Sequence, residues 1–115
     1  MAKPKNTVER GRIRWIVFRE GDTWYGVALE FNLVVEADHP QTALFELHSA
    51  IEGYLEAVKS ARMRPIVLNQ QPDFEYALLW KLLNAKRVHS RSGTQARARI
   101  SPQQVFSFGT VPQHA

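Results

Sequence analysis

The run from Arg12 to Glu20 constrains the fold of this chain more than any other feature. Its residues alternate, and large apolar side chains occur on both faces: Ile13, Trp15 and Val17 on one, Ile16 and Phe18 on the other. β-Branched and aromatic residues in this pattern predict a β-strand. Because both faces are apolar, a stable fold has to cover the strand from both sides.

Two more strands are predicted directly after the first. The turn residues Gly21-Asp22-Thr23 separate it from a second run, Trp24 to Phe31, so the two form an antiparallel hairpin. Asn32 interrupts the pattern, and Leu33 to Ala37 is predicted as a third, short strand.

A long helix is predicted from about His39 to Ala61. Asp38 is a suitable N-cap, and Pro40 falls in the first turn, where its missing N–H leaves no hydrogen bond unmade. The apolar residues then recur every three or four positions: Ala43, Leu44, Leu47, Ala50, Ile51, Tyr54, Leu55 and Val58. Gly53 lies inside the helix at a cost of about 1 kcal/mol relative to alanine, which suggests a close approach of another backbone.

The remaining residues predict a second helix and an arm. Ile66 to Leu68 is predicted as a fourth strand. Asp73 can cap a helix from Phe74 to Ala85 that has almost no polar face. Such a helix needs cover on several sides, so Phe74, Leu78, Trp80 and Leu82 are predicted to form an oligomer interface. Arg87 to Gln104 is polar and basic, typical of a flexible arm, with a weak strand at Val105 to Phe108.

Together these patterns predict an α+β fold, in which an antiparallel sheet of three to four strands packs against one long helix. A second C-terminal helix and a flexible basic arm follow. The predicted segments are a disordered leader (1–11), the β-β-β-α domain (12–68), the second helix (69–86) and the arm (87–115). One helix covers one sheet face, so the uncovered face predicts a homo-oligomer, a dimer or a tetramer.

Composition excludes several classes of protein. With 115 residues the chain has room for one domain, and the lack of cysteine excludes disulfides, zinc knuckles and thiol nucleophiles. No apolar run is long enough to span a membrane, and the polar N-terminus does not resemble a secretory signal. We therefore expect a cytoplasmic protein without membrane contact.

The formal net charge of +4 conceals a strong segregation of charge. Residues 20–58 carry eight acids and neither Lys nor Arg, whereas both ends of the chain are basic. An acidic centre suits a small basic partner, and its predicted contact residues are Glu30, Glu36, Glu46, Glu52 and Glu56. The basic arm suits nucleic acid, through Arg87, Arg91, Arg97 and Arg99.

Nothing in the sequence specifies catalysis, a metal or a cofactor. His39 and His48 are nine residues apart on the predicted helix, too far to share a metal as an i, i+4 pair would. Glu30 and Glu36 fall on adjacent predicted strands. A third hypothesis is therefore that the protein is the remnant of a metal-dependent nuclease. Solvated acids on a strand face are the commoner case.

Four segments between Arg12 and Ala61 form a recognisable set: Tyr25–Phe31, Leu33–Asp38, His39–Leu44 and Ala50–Glu56. Through these segments the chain resembles the HicB-like antitoxin family. At the junction of strand and helix the capping Asp, the Pro and the helix-facing Ala match the family pattern, while its Gly, its hydroxyl residue and its two Glu are absent. The resemblance implies a β-β-β-α fold that binds and masks a small basic RNA-cleaving toxin.

Many members of that family also repress their own promoter through a C-terminal DNA-binding motif. Residues 62–115 do not show the two helices and short turn of a helix-turn-helix. We therefore expect a non-enzymatic, antitoxin-like interaction module. The alternative is a nucleic-acid-binding transcriptional regulator that uses the basic arm.

Overall fold

The structure, a computed structural model, describes residues 10–85 and 100–114. An antiparallel sheet of four strands lies between two helices, which confirms the predicted α+β fold. The elements are β1 (Arg10–Glu20), β2 (Thr23–Ala28), β3 (Leu33–Ala37), α1 (Pro40–Ser60), α2 (Phe74–Asn84) and β4 (Val105–His114). The strand order is β3-β2-β1-β4.

Both apolar faces of β1 are covered by the chain itself. Ile13 and Val17 are buried in a core with α1, and Ile16 and Phe18 are buried in a second core with α2. The sheet is therefore the middle of three layers.

The first core is closed by the inner side of α1. Its buried residues are Ala43, Leu47, Ile51 and Val58. The helix packs tightly over Gly26 of β2, where an added Cβ would lie 3.1 Å from the Cβ of Leu47. A side chain at residue 26 would push α1 away from the sheet.

The second core is closed by α2. Leu79 and Leu83 of this helix are buried together with Ile100, and Tyr76 and Trp80 pack partly against them. The sheet face that the sequence left open is thus covered within one chain. The apolar residues on all sides of α2 therefore do not require a second subunit.

The C-terminal segment forms a full strand, contrary to the predicted arm over 87–115. β4 pairs with β1 along most of its length, from Arg10 opposite His114 to Phe18 opposite Val105, with one irregularity at Val17/Phe18. The weak strand expected at Val105 to Phe108 is therefore confirmed and extended by six residues, to His114. The backbone partner of this segment is β1, which is distant in the sequence, so the local residue pattern could not show the pairing.

Two segments predicted as strands are 3₁₀ turns. The second strand ends at Ala28, and Leu29–Phe31 forms a turn that closes at Asn32 with φ 55°. In a strand Leu29 and Phe31 would share one face, whereas the turn buries Leu29 in the α2 core and Phe31 in the α1 core. Pro65–Leu68 is likewise a 3₁₀ turn, which buries Leu68.

The start of α1 differs from the predicted cap. His39, not Asp38, is the N-cap residue, and its side chain makes no capping hydrogen bond. The close approach expected at Gly53 is also absent among residues 10–85 and 100–114, since an added Cβ would meet nothing within 4 Å.

Candidate functional site

The side of α1 that points away from the sheet is the candidate site. Its residues are all exposed, and we call them the outer face of α1: Phe45, Glu46, Ser49, Glu52, Gly53 and Glu56. The same 3.6-residue periodicity that buries Leu47 and Ile51 places these side chains in solvent. They extend about 16 Å along the helix.

Phe45 is the large apolar residue of this face and lies at its N-terminal end. Its side chain is 72% exposed, although it lies between Ala43 and Leu47, which are both fully buried. A single exposed apolar residue is ordinary. Aromatic residues are enriched in the cores of protein–protein contacts and Glu is depleted there, so Phe45 and not the carboxylates is the candidate for such a core.

The charge on the outer face of α1 is unfavourable for the isolated helix. Glu52 and Glu56 are one turn apart, and like charges at this spacing destabilise a helix by about 0.2–0.5 kcal/mol. The hydroxyl of Ser60 donates to Oε2 of Glu56 at 3.5 Å, a long hydrogen bond. The helix has no Lys or Arg before Lys59. A basic partner would relieve this repulsion.

The structure does not bring the five predicted contact acids onto one surface, so the prediction of a single acidic surface is wrong, whereas partner binding by these residues stays a prediction. Glu46, Glu52 and Glu56 share the outer face of α1. Glu36 is exposed on β3 opposite Tyr25, on the α2 side of the sheet. Glu30 follows the end of β2 and is 15% exposed.

Glu30 is held by Arg14. Its Oε1 accepts a hydrogen bond from the backbone N–H of Arg14 at 2.8 Å, and its Oε2 accepts from the guanidinium Nε–H of the same residue. The Glu30 carboxylate is therefore bound by groups of its own chain. The described residues also contain no group of three His, Cys, Asp or Glu side chains that could hold a metal ion.

A cleft on the α2 side was not predicted from the sequence. It has a volume of about 580 Å³ and is lined by Arg14, Glu30, Trp80 and Thr110, among others. The guanidinium carbon of Arg14 lies 5.7 Å from the centre of the Trp80 ring, a cation–π contact. The signal in the sequence was the pair Arg12 and Arg14, two charges on the strand face that continues with Ile16 and Phe18.

The predicted oligomer residues on α2 separate into two groups. Phe74 is 75% exposed at the start of the helix. Leu78, Trp80 and Leu82 are partly buried, and Trp80 also meets the ring of Phe108 edge-on at 5.7 Å. Because α2 is covered by its own sheet, its apolar residues no longer indicate an interface between subunits. The homo-oligomer itself stays a prediction.

The arm arginines Arg87, Arg91, Arg97 and Arg99 lie outside the residues that the structure describes. Nucleic-acid binding through them stays a prediction. Within the described ranges, no helix has the length and apolarity needed to cross a membrane.

Comparisons with protein-family models, curated proteins and solved structures found no match for this chain. The resemblance to HicB-like antitoxins therefore depends on the sequence motifs alone.

Proposed function

We propose that this chain is a non-enzymatic protein-interaction module that binds a small basic protein through the outer face of α1, in the manner of an antitoxin. The observation that carries the proposal is the exposed ring of Phe45 on the same helix face as three exposed carboxylates, on a helix free of cations up to Lys59. The resemblance to HicB-like antitoxins supports the same kind of partner. We place the protein in the cytoplasm.

Each part of the surface has its own role in binding. Phe45 would fill an apolar pocket on the partner, and such buried aromatic anchors contribute most to affinity. Glu52 and Glu56 would steer the basic partner and fix its register. Gly53, between them, exposes the helix backbone to close approach, because nothing of the chain itself lies within 4 Å of its Cβ position.

The test is co-purification of the full chain with the product of the adjacent small open reading frame, followed by a binding titration of the two purified proteins. We expect Phe45→Ala to weaken binding at least about 10-fold, the effect of losing one anchor residue. The double variant Glu52→Lys/Glu56→Lys should weaken binding similarly at low salt and less at high salt.

Glu36→Lys is the matched control, since it changes an exposed acid on the other side of the sheet. It should leave the dissociation constant within about twofold, because an exposed charge outside the contact contributes little to affinity. Failure to bind the partner, or an equal loss with Glu36→Lys, would overturn the proposal.

A further inference from the structure

The outer edge of β4 is unpaired. β4 is the last strand of the order β3-β2-β1-β4, and no other strand among residues 10–85 and 100–114 pairs with it. Its ten residues make it twice as long as β3, the strand at the other edge. An open strand edge presents a row of free backbone N–H and C=O groups that can pair with another strand.

Charge does not protect this edge against such pairing, and its departures from a regular strand are the irregularity opposite Val17/Phe18 and Pro112. From Val105 to Val111 the strand reads Val-Phe-Ser-Phe-Gly-Thr-Val and contains no charged side chain. Natural edge strands are commonly short or carry charges that prevent association. β3 follows that rule, because it has five residues and carries Glu36.

Two aromatic rings flank this open edge. Phe106 is 43% exposed and Phe108 is 38% exposed. Each meets a tryptophan of its own chain edge-on: Trp24 at 6.0 Å for Phe106, and Trp80 at 5.7 Å for Phe108. Trp24 packs against the α1 core and Trp80 against the α2 core, so an added strand would extend apolar contacts on both sides of the sheet.

We propose that two copies of this chain pair through β4, antiparallel and around a two-fold axis, to form one continuous eight-stranded sheet. A second copy is the occupant that the charges favour. When Val105–Val111 pairs with its own copy, each residue meets an uncharged residue, whereas a charged partner strand would find no complement. Pro112 has no N–H to donate, which limits the ladder beyond Val111.

The absence of cysteine makes cross-linking a direct test. Single-cysteine variants of the full chain, Phe106→Cys, Phe108→Cys and Thr110→Cys, sample the proposed interface. In a two-fold antiparallel pair, a residue near the axis faces its own copy about 4.5–5.5 Å away, within disulfide range. We expect a disulfide-linked dimer under mild oxidation for at least one of the three.

The controls are Val34→Cys on β3, Phe45→Cys on α1 and Phe74→Cys on α2, which are all exposed. They should not cross-link at the same protein concentration. Sedimentation of the native chain should show a dimer of twice 13.2 kDa. A native monomer, or a dimer that cross-links only through a control position, would overturn the proposal.

A charge on the edge gives a second, independent measurement. Phe106→Lys should raise the dimer dissociation constant at least 100-fold, while Val34→Lys should leave it unchanged. If Phe106→Lys fails to fold, the cysteine variants decide the question alone. Partner binding through α1 uses a different surface, so the pairing of β4 is tested separately from the proposed function.

Discussion

At the scale of single residues, Tyr54 connects α1 to the segment that follows it. Its hydroxyl donates a hydrogen bond to the carbonyl oxygen of Val67 and accepts one from Nε2 of Gln70, both at 2.7 Å. Burial raises the pKa of Tyr54 above its ordinary value of 10.0, and the hydrogen bond from Gln70 opposes that rise. The fold therefore favours the neutral phenol.

Tyr54→Phe should lower the free energy of unfolding by about 0.5–1.5 kcal/mol at pH 7, the usual value of a hydrogen bond. Because the folded-state pKa is raised, the contribution of the phenol is complete below pH 10 and is lost as the pH rises through the folded-state value. Urea unfolding from pH 7 to 11 should show this alkaline loss in the native chain and less of it in the variant. Tyr25→Phe is the control, and an equal alkaline slope in the native chain and Tyr54→Phe would contradict the expectation.

Two glycines should respond to the same change with opposite signs. Gly53→Ala should stabilise the protein by about 0.5–1 kcal/mol, since the residue is helical and its Cβ would meet nothing within 4 Å. Gly26→Ala should destabilise it, because its Cβ would come within 3.1 Å of Leu47 and Val35. Thermal unfolding measures both changes. A loss of stability in Gly53→Ala would mean that the outer face of α1 is covered in the free protein.

At the scale of elements, α1 could be predicted almost to the residue, whereas the turns could not. Its apolar period and Pro40 placed the helix at 39–61, against the observed Pro40–Ser60. Leu29–Phe31 looked like a strand because its residues favour strands. It forms a 3₁₀ turn because two separate cores each take one of its apolar side chains.

The packing of α2 on its own sheet has a measurable consequence. Leu79→Ala should cost about 2–5 kcal/mol, because Leu79 is fully buried in the second core. Phe74→Ala should change stability by less than about 0.5 kcal/mol, as expected for an exposed residue. Chemical denaturation compares the two variants. Equal losses would show that α2 is covered by something other than its own sheet.

At the scale of the whole molecule, β4 makes the C-terminal segment part of the fold. A chain ending at Lys86 would lose β4 and the fully buried Ile100, and β1 would become an edge strand paired with β2 alone. We expect this truncated chain to unfold without a cooperative transition, since a domain's total stability is only about 5–15 kcal/mol. Circular dichroism during heating measures the transition. A cooperative transition in the truncated chain would contradict the role of β4.

Nucleic-acid binding therefore has to be tested by substitution in the full chain. If the basic arm binds phosphates, the native chain should bind duplex DNA in a strongly salt-dependent way. Replacing Arg87, Arg91, Arg97 and Arg99 by Gln should then reduce both the affinity and its dependence on salt. Identical salt dependence in the two proteins, measured by fluorescence anisotropy, would show that the arm does not bind the DNA.

The sequence by itself determined the local periodicities: a strand with two apolar faces, a hairpin, a long amphipathic helix and an acidic centre. These follow from neighbouring residues, so they can be read along the chain. The tertiary structure alone decided that α2 covers the second sheet face, that β4 joins β1, and that Glu30 binds Arg14. The reason is physical: each of these contacts joins residues far apart in the sequence, and their partners are selected by burial and backbone pairing that no local pattern records.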